Sequence, residues 1–197
     1  MVFRLGLTGS IGMGKTATAR IFAEEGCEVW DADAAVHRAY AEGGAAVEPI
    51  GAAFPEAVEN GAVSREALRR IIARDPDALA RIEAIVHPLV VADRAARADA
   101  AEADVVVFDI PLLFETGAER EMDAVAVVTA PPEEQRRRVL ARGSMSAADF
   151  EGILARQMPD AEKRARADYV IETDTPEHAR EQVRAILADI RRQQTDA

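Results

Sequence analysis

Cysteine occurs once in the 197 residues, at Cys27, so no disulfide within the chain is expected. Asparagine also occurs once, at Asn60 before Gly61. The Asn-Lys-x-Asp element by which a regulatory GTPase reads its base is therefore missing, and that class is excluded. No apolar run reaches the ~20 residues of a membrane span, and no charged-then-apolar leader opens the chain. A soluble, cytoplasmic protein without a membrane partner is expected. The net charge of -11 argues against a nucleic-acid or anionic-membrane surface, although a local basic patch could still serve a phosphorylated small molecule. Lysine is almost absent: Lys15 and Lys163 stand against 22 arginines. In so arginine-rich a chain most arginines need no functional explanation, and each is judged by its position. Nothing points to an assembly, so a monomer is expected, with weak self-association left open.

Against this background one of the two lysines falls in "LTGSIGMGKTA", Leu7 to Ala17, which contains Gly9-x-x-x-x-Gly14-Lys15-Thr16. Glycines in such a loop let backbone N–H groups turn inward around phosphate oxygens. The lysine reaches the β- and γ-phosphates, and the hydroxyl ligates Mg²⁺. A chance match in a chain of this composition has a probability of roughly 4 in 10,000 for this motif. Phe3 to Thr8 suits a buried parallel strand, and Thr16 to Ala23 suits a helix whose N-terminus faces the phosphates. Gly9, Ser10, Ile11, Gly12, Met13, Gly14, Lys15 and Thr16 are the expected nucleotide cradle.

The rest of the chain reads as an α/β domain with an insertion. Gly26 suits the position just past the first helix, and Cys27 to Trp30 a second strand ending at "DAD", Asp31 to Asp33. Ala34 to about Ala103 lacks convincing strands but carries helix starts: Ser64 before "REALRRIIA", Asp75-Pro76 before "DALARIEAI", and Pro88 opening "PLVVADRAARADA". Further strands are expected at Asp104–Asp109, Asp123–Thr129 and Asp168–Thr173, then a last helix capped by Thr175-Pro176. Glu133–Arg142 and Ala147–Gln157 read as two lid helices joined by "GSMS", with Ser146 and Asp149 as a capping box.

In open α/β sheets ligands bind beyond the carboxyl ends of the strands. Asp31 and Asp33, two apart, would share a face of an extended chain. Either could cap the following helix or accept a proton from an attacking hydroxyl. Asp33 is favoured for chemistry, and Asp31 is left open. Asp109 ends its strand in the manner of a Mg²⁺-holding aspartate. Arg138 and Arg142, four apart on one helix face, would repel unless an anion such as triphosphate lay between them. Glu134 and Glu133 are placed to pair with Arg138 and Arg137, which leaves Arg142 the stronger candidate. His37 and His87 have no metal-ligand partner at a recognised spacing.

Taken together, "LTGSIGMGKT", "DAD" with His37, "IVHPLV", "FDIPLLFE", the Gln135, Arg138, Arg142 run, Gln157 of "RQMP" and "ADYVI" resemble the dephospho-CoA kinase family over nearly the whole chain. The resemblance implies a P-loop kinase fold, a five-stranded parallel sheet flanked by helices, with a helical acceptor-binding insertion and a helical lid. The nucleotide-binding core would be 1–33 with 104–132 and 165–197, the CoA-binding insertion 34–103 and the lid 133–164. It further implies ATP and Mg²⁺ as cofactors and dephospho-CoA as the small-molecule partner. The catalytic residues would be Lys15, Asp33, Arg138 and Arg142, and Thr16 and Asp109 would hold the metal. Thr8, Asp33, His87 and Leu112 would meet the acceptor. Three departures stand out. Glu172-Thr173-Asp174 replaces an asparagine-containing turn near the base. Met13 replaces a smaller residue whose backbone alone should matter, and Trp30 is a bulky choice that would pack in the core or meet the acceptor. A nucleoside monophosphate kinase and a P-loop ATPase driving a protein partner share much of this pattern.

Overall fold

The computed structural model describes residues 2–143 and 145–196. Its elements in chain order begin with β1 (Phe3–Thr8), α1 (Lys15–Glu24), β2 (Glu28–Asp31), α2 (Ala32–Tyr40) and α3 (Val47–Ala53). The hairpin strands β3 (Val58–Glu59) and β4 (Ala62–Val63) follow, then α4 (Arg65–Arg74), α5 (Ala78–Asp99), β5 (Val105–Asp109) and β6 (Ala124–Thr129). The chain closes with α6 (Pro132–Ala141), α7 (Ala147–Leu154), α8 (Asp160–Arg166), β7 (Tyr169–Glu172) and α9 (Pro176–Asp196).

The expected five-stranded parallel sheet is present, in the order β2-β5-β1-β6-β7. β1 is central, with Leu5 paired to Val107 of β5 on one side and to Ala124 of β6 on the other, and its residues from Leu5 to Thr8 are all buried. Leu5, Leu7, Val105, Val107, Ala126 and Val128 pack with Phe22 of α1 and Val183, Leu187 and Ile190 of α9 in one core cluster. Burying each of the larger side chains contributes about 1.5–3 kcal/mol. Gly26, at φ 94, lies just past the end of α1, and Cys27 packs into the same core. The chain therefore turns directly from α1 into β2.

The chain divides into two compact units, Trp30–Ala100 and the remainder, which joins the residues up to Val29 with those from Ala101 onward. Helices α6 to α8 belong to the latter. Ile50, Phe54, Leu68, Ile82 and Val86 form the core of the Trp30–Ala100 unit.

Several expectations need correction. Pro88 does not open a helix; it lies inside the 22-residue α5. Proline there lacks an N–H and crowds the carbonyl of Ala84, a cost of about 3 kcal/mol. Ile82 and Val86 before it, and Leu89 and Val90 after it, pack in the same apolar cluster, and this burial keeps both halves in one helix. The insertion is also not free of strands: β3 and β4 pair antiparallel across Asn60-Gly61, whose φ values of 51 and 75 are those of a tight hairpin turn. α8 is a further helix after the two expected for the lid. Ser64 and the Ser146–Asp149 capping box occupy their expected places. Ser144 of the "GSMS" linker lies outside the described residues.

Candidate active site

Gly14 ends the loop at φ 94, a left-handed conformation that L side chains avoid, and serves as the N-cap of α1. At Gly9 the constraint is space: a Cβ would come within 2.4 Å of Val128 Cγ2 and 2.9 Å of the Val128 carbonyl. These two glycines set the loop on the end of β6 and turn the first N–H groups of α1 toward whatever the loop encloses.

The loop is clamped from outside by side chains. Gln157 Oε1 accepts from the Ile11 N–H at 3.1 Å, and Gln135 Nε2 donates to the Ile11 carbonyl at 2.7 Å. Thr173 Oγ1 donates to the Met13 carbonyl at 2.7 Å. Met13 itself corrects an expectation, because its side chain does matter. It is buried in the core cluster, and its Sδ accepts from the Ala130 N–H at 3.1 Å. A longer side chain at this position thus anchors the loop to the segment after β6.

Lys15 pairs with Asp109 at the end of β5, with the carboxylate only 3 % exposed. Thr16 is exposed in the first turn of α1. Thr8 is buried and donates from Oγ1 to the Pro111 carbonyl at 3.1 Å, while Leu112 on the following turn is 42 % exposed. Among the described residues no group of three or more His, Cys, Asp or Glu could hold a metal ion.

Arg138 donates from Nε to Glu134 at 2.7 Å, from Nη1 to Thr173 Oγ1 at 2.9 Å and from Nη2 to the Thr173 carbonyl at 2.5 Å. Arg137 pairs with Glu134, not with Glu133. Arg137 and then Arg138 hold the Glu134 carboxyl down at about 2. α6 stops at Ala141, and Arg142 is its exposed C-cap residue, still in right-handed helical conformation. No described residue pairs with it. A cavity of about 560 Å³ opens beside the loop between Met13, Ala130–Pro132, Gln135, Asp160, Arg164 and the Glu172–Asp174 turn.

In the Trp30–Ala100 unit the two aspartates separate. Asp31 is the N-cap of α2, accepting the Ala34 N–H at 2.8 Å, whereas Asp33 is already helical. They do not share a face of extended chain, because α2 begins at Ala32. Asp33 is exposed, and no described residue bonds to it. Trp30 is buried, and its indole donates to Asp93 at 2.5 Å; Arg38 donates to the same carboxylate at 2.7 Å, which ties α2 to α5. His87 is exposed on α5. Arg70, Arg74 and Arg81 stand with Phe54 and Ile71 around a cavity of about 450 Å³.

Sequence reasoning underrated three residues: Gln135 and Gln157, quoted only as part of a pattern, and Thr173, noted only as a departure.

Comparison with known proteins agrees in kind. A sequence profile of the dephospho-CoA kinase family matches residues 3–178. The dephospho-CoA kinase of Ruegeria pomeroyi is 66% identical over 191 residues, covering 97% of each chain. A Thermus thermophilus crystal structure superposes with a TM-score of 0.83 at 38% identity, covering 95% of this chain and 97% of that one. The dephospho-CoA kinase of Campylobacter jejuni gives 0.69 at 25% identity, covering 96% and 98%.

Proposed function

Since the chain belongs to the dephospho-CoA kinase family, we propose that it transfers the γ-phosphoryl group of ATP to the 3′-hydroxyl of the adenosine ribose in dephospho-CoA, giving CoA and ADP. The family carries out the final step of CoA biosynthesis. The observation that carries the reading is the preformed phosphate loop, held at Ile11 and Met13 by three side chains and ending in Lys15 at the start of α1.

Lys15 would leave Asp109 for the β- and γ-phosphates, exchanging one anionic partner for another. The exposed Thr16 hydroxyl and the Asp109 carboxylate fit a small oxygen-ligated ion that takes its other ligands from phosphate and water. Mg²⁺ bound there would neutralise charge on the transferring group. Arg142, exposed and unpaired among the described residues, would meet the phosphates once the lid, 133–164, closes. Arg138 would hold Thr173 and, through it, the loop. The cavity beside Glu172–Asp174 would take the adenine base.

Asp33 would accept the hydroxyl proton, since the cap occupies the Asp31 carboxylate and leaves Asp33 the uncommitted one. The insertion, 34–103, would hold the acceptor, with His87, Thr8 and Leu112 touching it. The test supplies ATP, Mg²⁺ and dephospho-CoA, AMP, CMP or adenosine, and locates the new phosphate by phosphorus NMR. A 3′-phosphomonoester on CoA is expected. AMP or CMP as the best acceptor would overturn the reading in favour of a nucleoside monophosphate kinase.

A further inference from the structure

Both lysines of this chain end on the same short segment. Lys15 pairs with Asp109 at its start, and Lys163 of α8 lies with its Nζ 2.9 Å from Glu115 Oε1 at its end. Lys163 is 0 % exposed. Its contact with Glu115 is an ion pair by distance, although its angle falls short of a directed hydrogen bond.

Two arguments say that this ammonium is there for a reason other than stability. A buried ion pair is commonly no more stabilising than apolar side chains of the same volume, because both charges must be stripped of water. The chain also uses arginine for 22 of its 24 basic residues. A lysine retained in the interior marks a place where a single-point charge fits and a planar fork does not.

The purpose follows from what Glu115 does with the same oxygen. Its Oε1 accepts from the Met158 N–H at 2.9 Å. The preceding residue, Gln157, holds the Ile11 N–H of the phosphate loop. Burial pushes the Glu115 carboxyl up, but Lys163 and the Met158 N–H outweigh it and hold it below its ordinary value. Glu115 thus stays an acceptor at neutral pH. Arg166, one turn along α8, pairs with Glu119 at 2.9 Å and lies 4.6 Å over the Phe114 ring, which fixes the helix on this segment.

We propose that Lys163 is a positioning residue for nucleotide binding: through Glu115 it sets the 157–158 turn, and through Gln157 that turn sets the phosphate loop. The inference rests on the reading that the loop binds the donor triphosphate. The alternative is a plain interior brace that affects folding alone.

The test is a double-mutant cycle on the full chain, reading the Kd for Mg·ATP by calorimetry, KM and kcat, and Tm. Lys163→Met is expected to raise Kd and KM for ATP about tenfold while kcat stays within about threefold, since small misplacements of a positioning group carry large costs. Gln157→Ala is expected to do the same. The double variant should be no worse than the poorer single one, because both act through one path. If Lys163→Met does not fold, Lys163→Met/Glu115→Met leaves no unpaired charge and carries the same expectation. An ATP affinity within twofold of wild type in a folded variant, or effects that simply multiply, overturns the proposal. Failure of the wild-type protein to bind Mg·ATP would instead overturn the reading on which it rests.

Discussion

The two units use polar side chains in opposite ways. In the unit that carries the phosphate loop, Thr8, Asp109, Gln135, Lys163 and Thr173 are buried and joined to named partners. In the Trp30–Ala100 unit, Arg94 alone is a buried polar residue among the described residues, and the core is aliphatic and aromatic. A buried polar network fixes geometry because each broken link leaves an unsatisfied group in a low dielectric. An apolar core tolerates substitution of similar volume more readily. The first unit therefore holds its chemistry ready before any ligand arrives. The second leaves Asp33 and His87 exposed.

The sharpest way to break this contrast is Lys15→Ala, which should lower kcat/KM on the order of 10³-fold or more while circular dichroism stays native, since the side chain serves phosphate and not a core. Near-normal turnover, or loss of the fold, would count against the phosphate loop as the site. Arg142→Ala should also cost on the order of 10³-fold, in keeping with one arginine on a transferring phosphoryl group. An effect no larger than that of Arg137→Ala would return Arg142 to the solvated surface.

Asp33→Asn should cost about 10²-fold in kcat through loss of the proton acceptor. Asp31→Ala should mainly cost the cap, about 1 kcal/mol of stability. If the two exchange signatures in rate and thermal melts, Asp31 is the base. Pro88→Ala should stabilise the protein by about 1–3 kcal/mol, by giving the Ala84 carbonyl back its helical partner. An unchanged or lower Tm would mean that the proline ring fills space that alanine leaves empty.

The smallest effect concerns pH. The Glu134 carboxyl is lowered from 4.5 to about 2, so its contribution to stability is complete above about 4.5 and is lost as pH falls toward 2. The Tm gap between wild type and Glu134→Gln should be open at pH 7 and close as the pH approaches 2. A gap that persists there would mean that the side chain acts through packing.

The same contrast explains what could be read from the sequence. The strands of the first unit were legible because buried parallel strands are short apolar runs, and the phosphate loop because its glycines are required by backbone geometry. Pro88 was misread because a local helix-breaking rule lost to the packing of Ile82, Val86, Leu89 and Val90, which no local pattern displays. The β3–β4 hairpin was missed although Asn60-Gly61 is a strong turn signal, because strands of two residues leave no alternation to detect. Gln135, Gln157 and Thr173 act on Ile11 and Met13 across 124, 146 and 160 residues of chain, separations at which no spacing rule operates.

The lone cysteine closes a different question. Burial, reinforced by Asp104, raises the Cys27 thiol to about 11. At neutral pH on the order of one molecule in ten thousand then carries the thiolate that attacks disulfides. Substrate and product of this reaction both end in a thiol, and oxidised pools of such compounds are disulfides. An enzyme with a reactive surface cysteine would be capped as a mixed disulfide by the oxidised forms of its own reactants, with one thiol released. Here the sole sulfhydryl is buried and held in its protonated form, so activity should survive incubation with oxidised CoA and with thiol-blocking reagents, without any reductant to protect it.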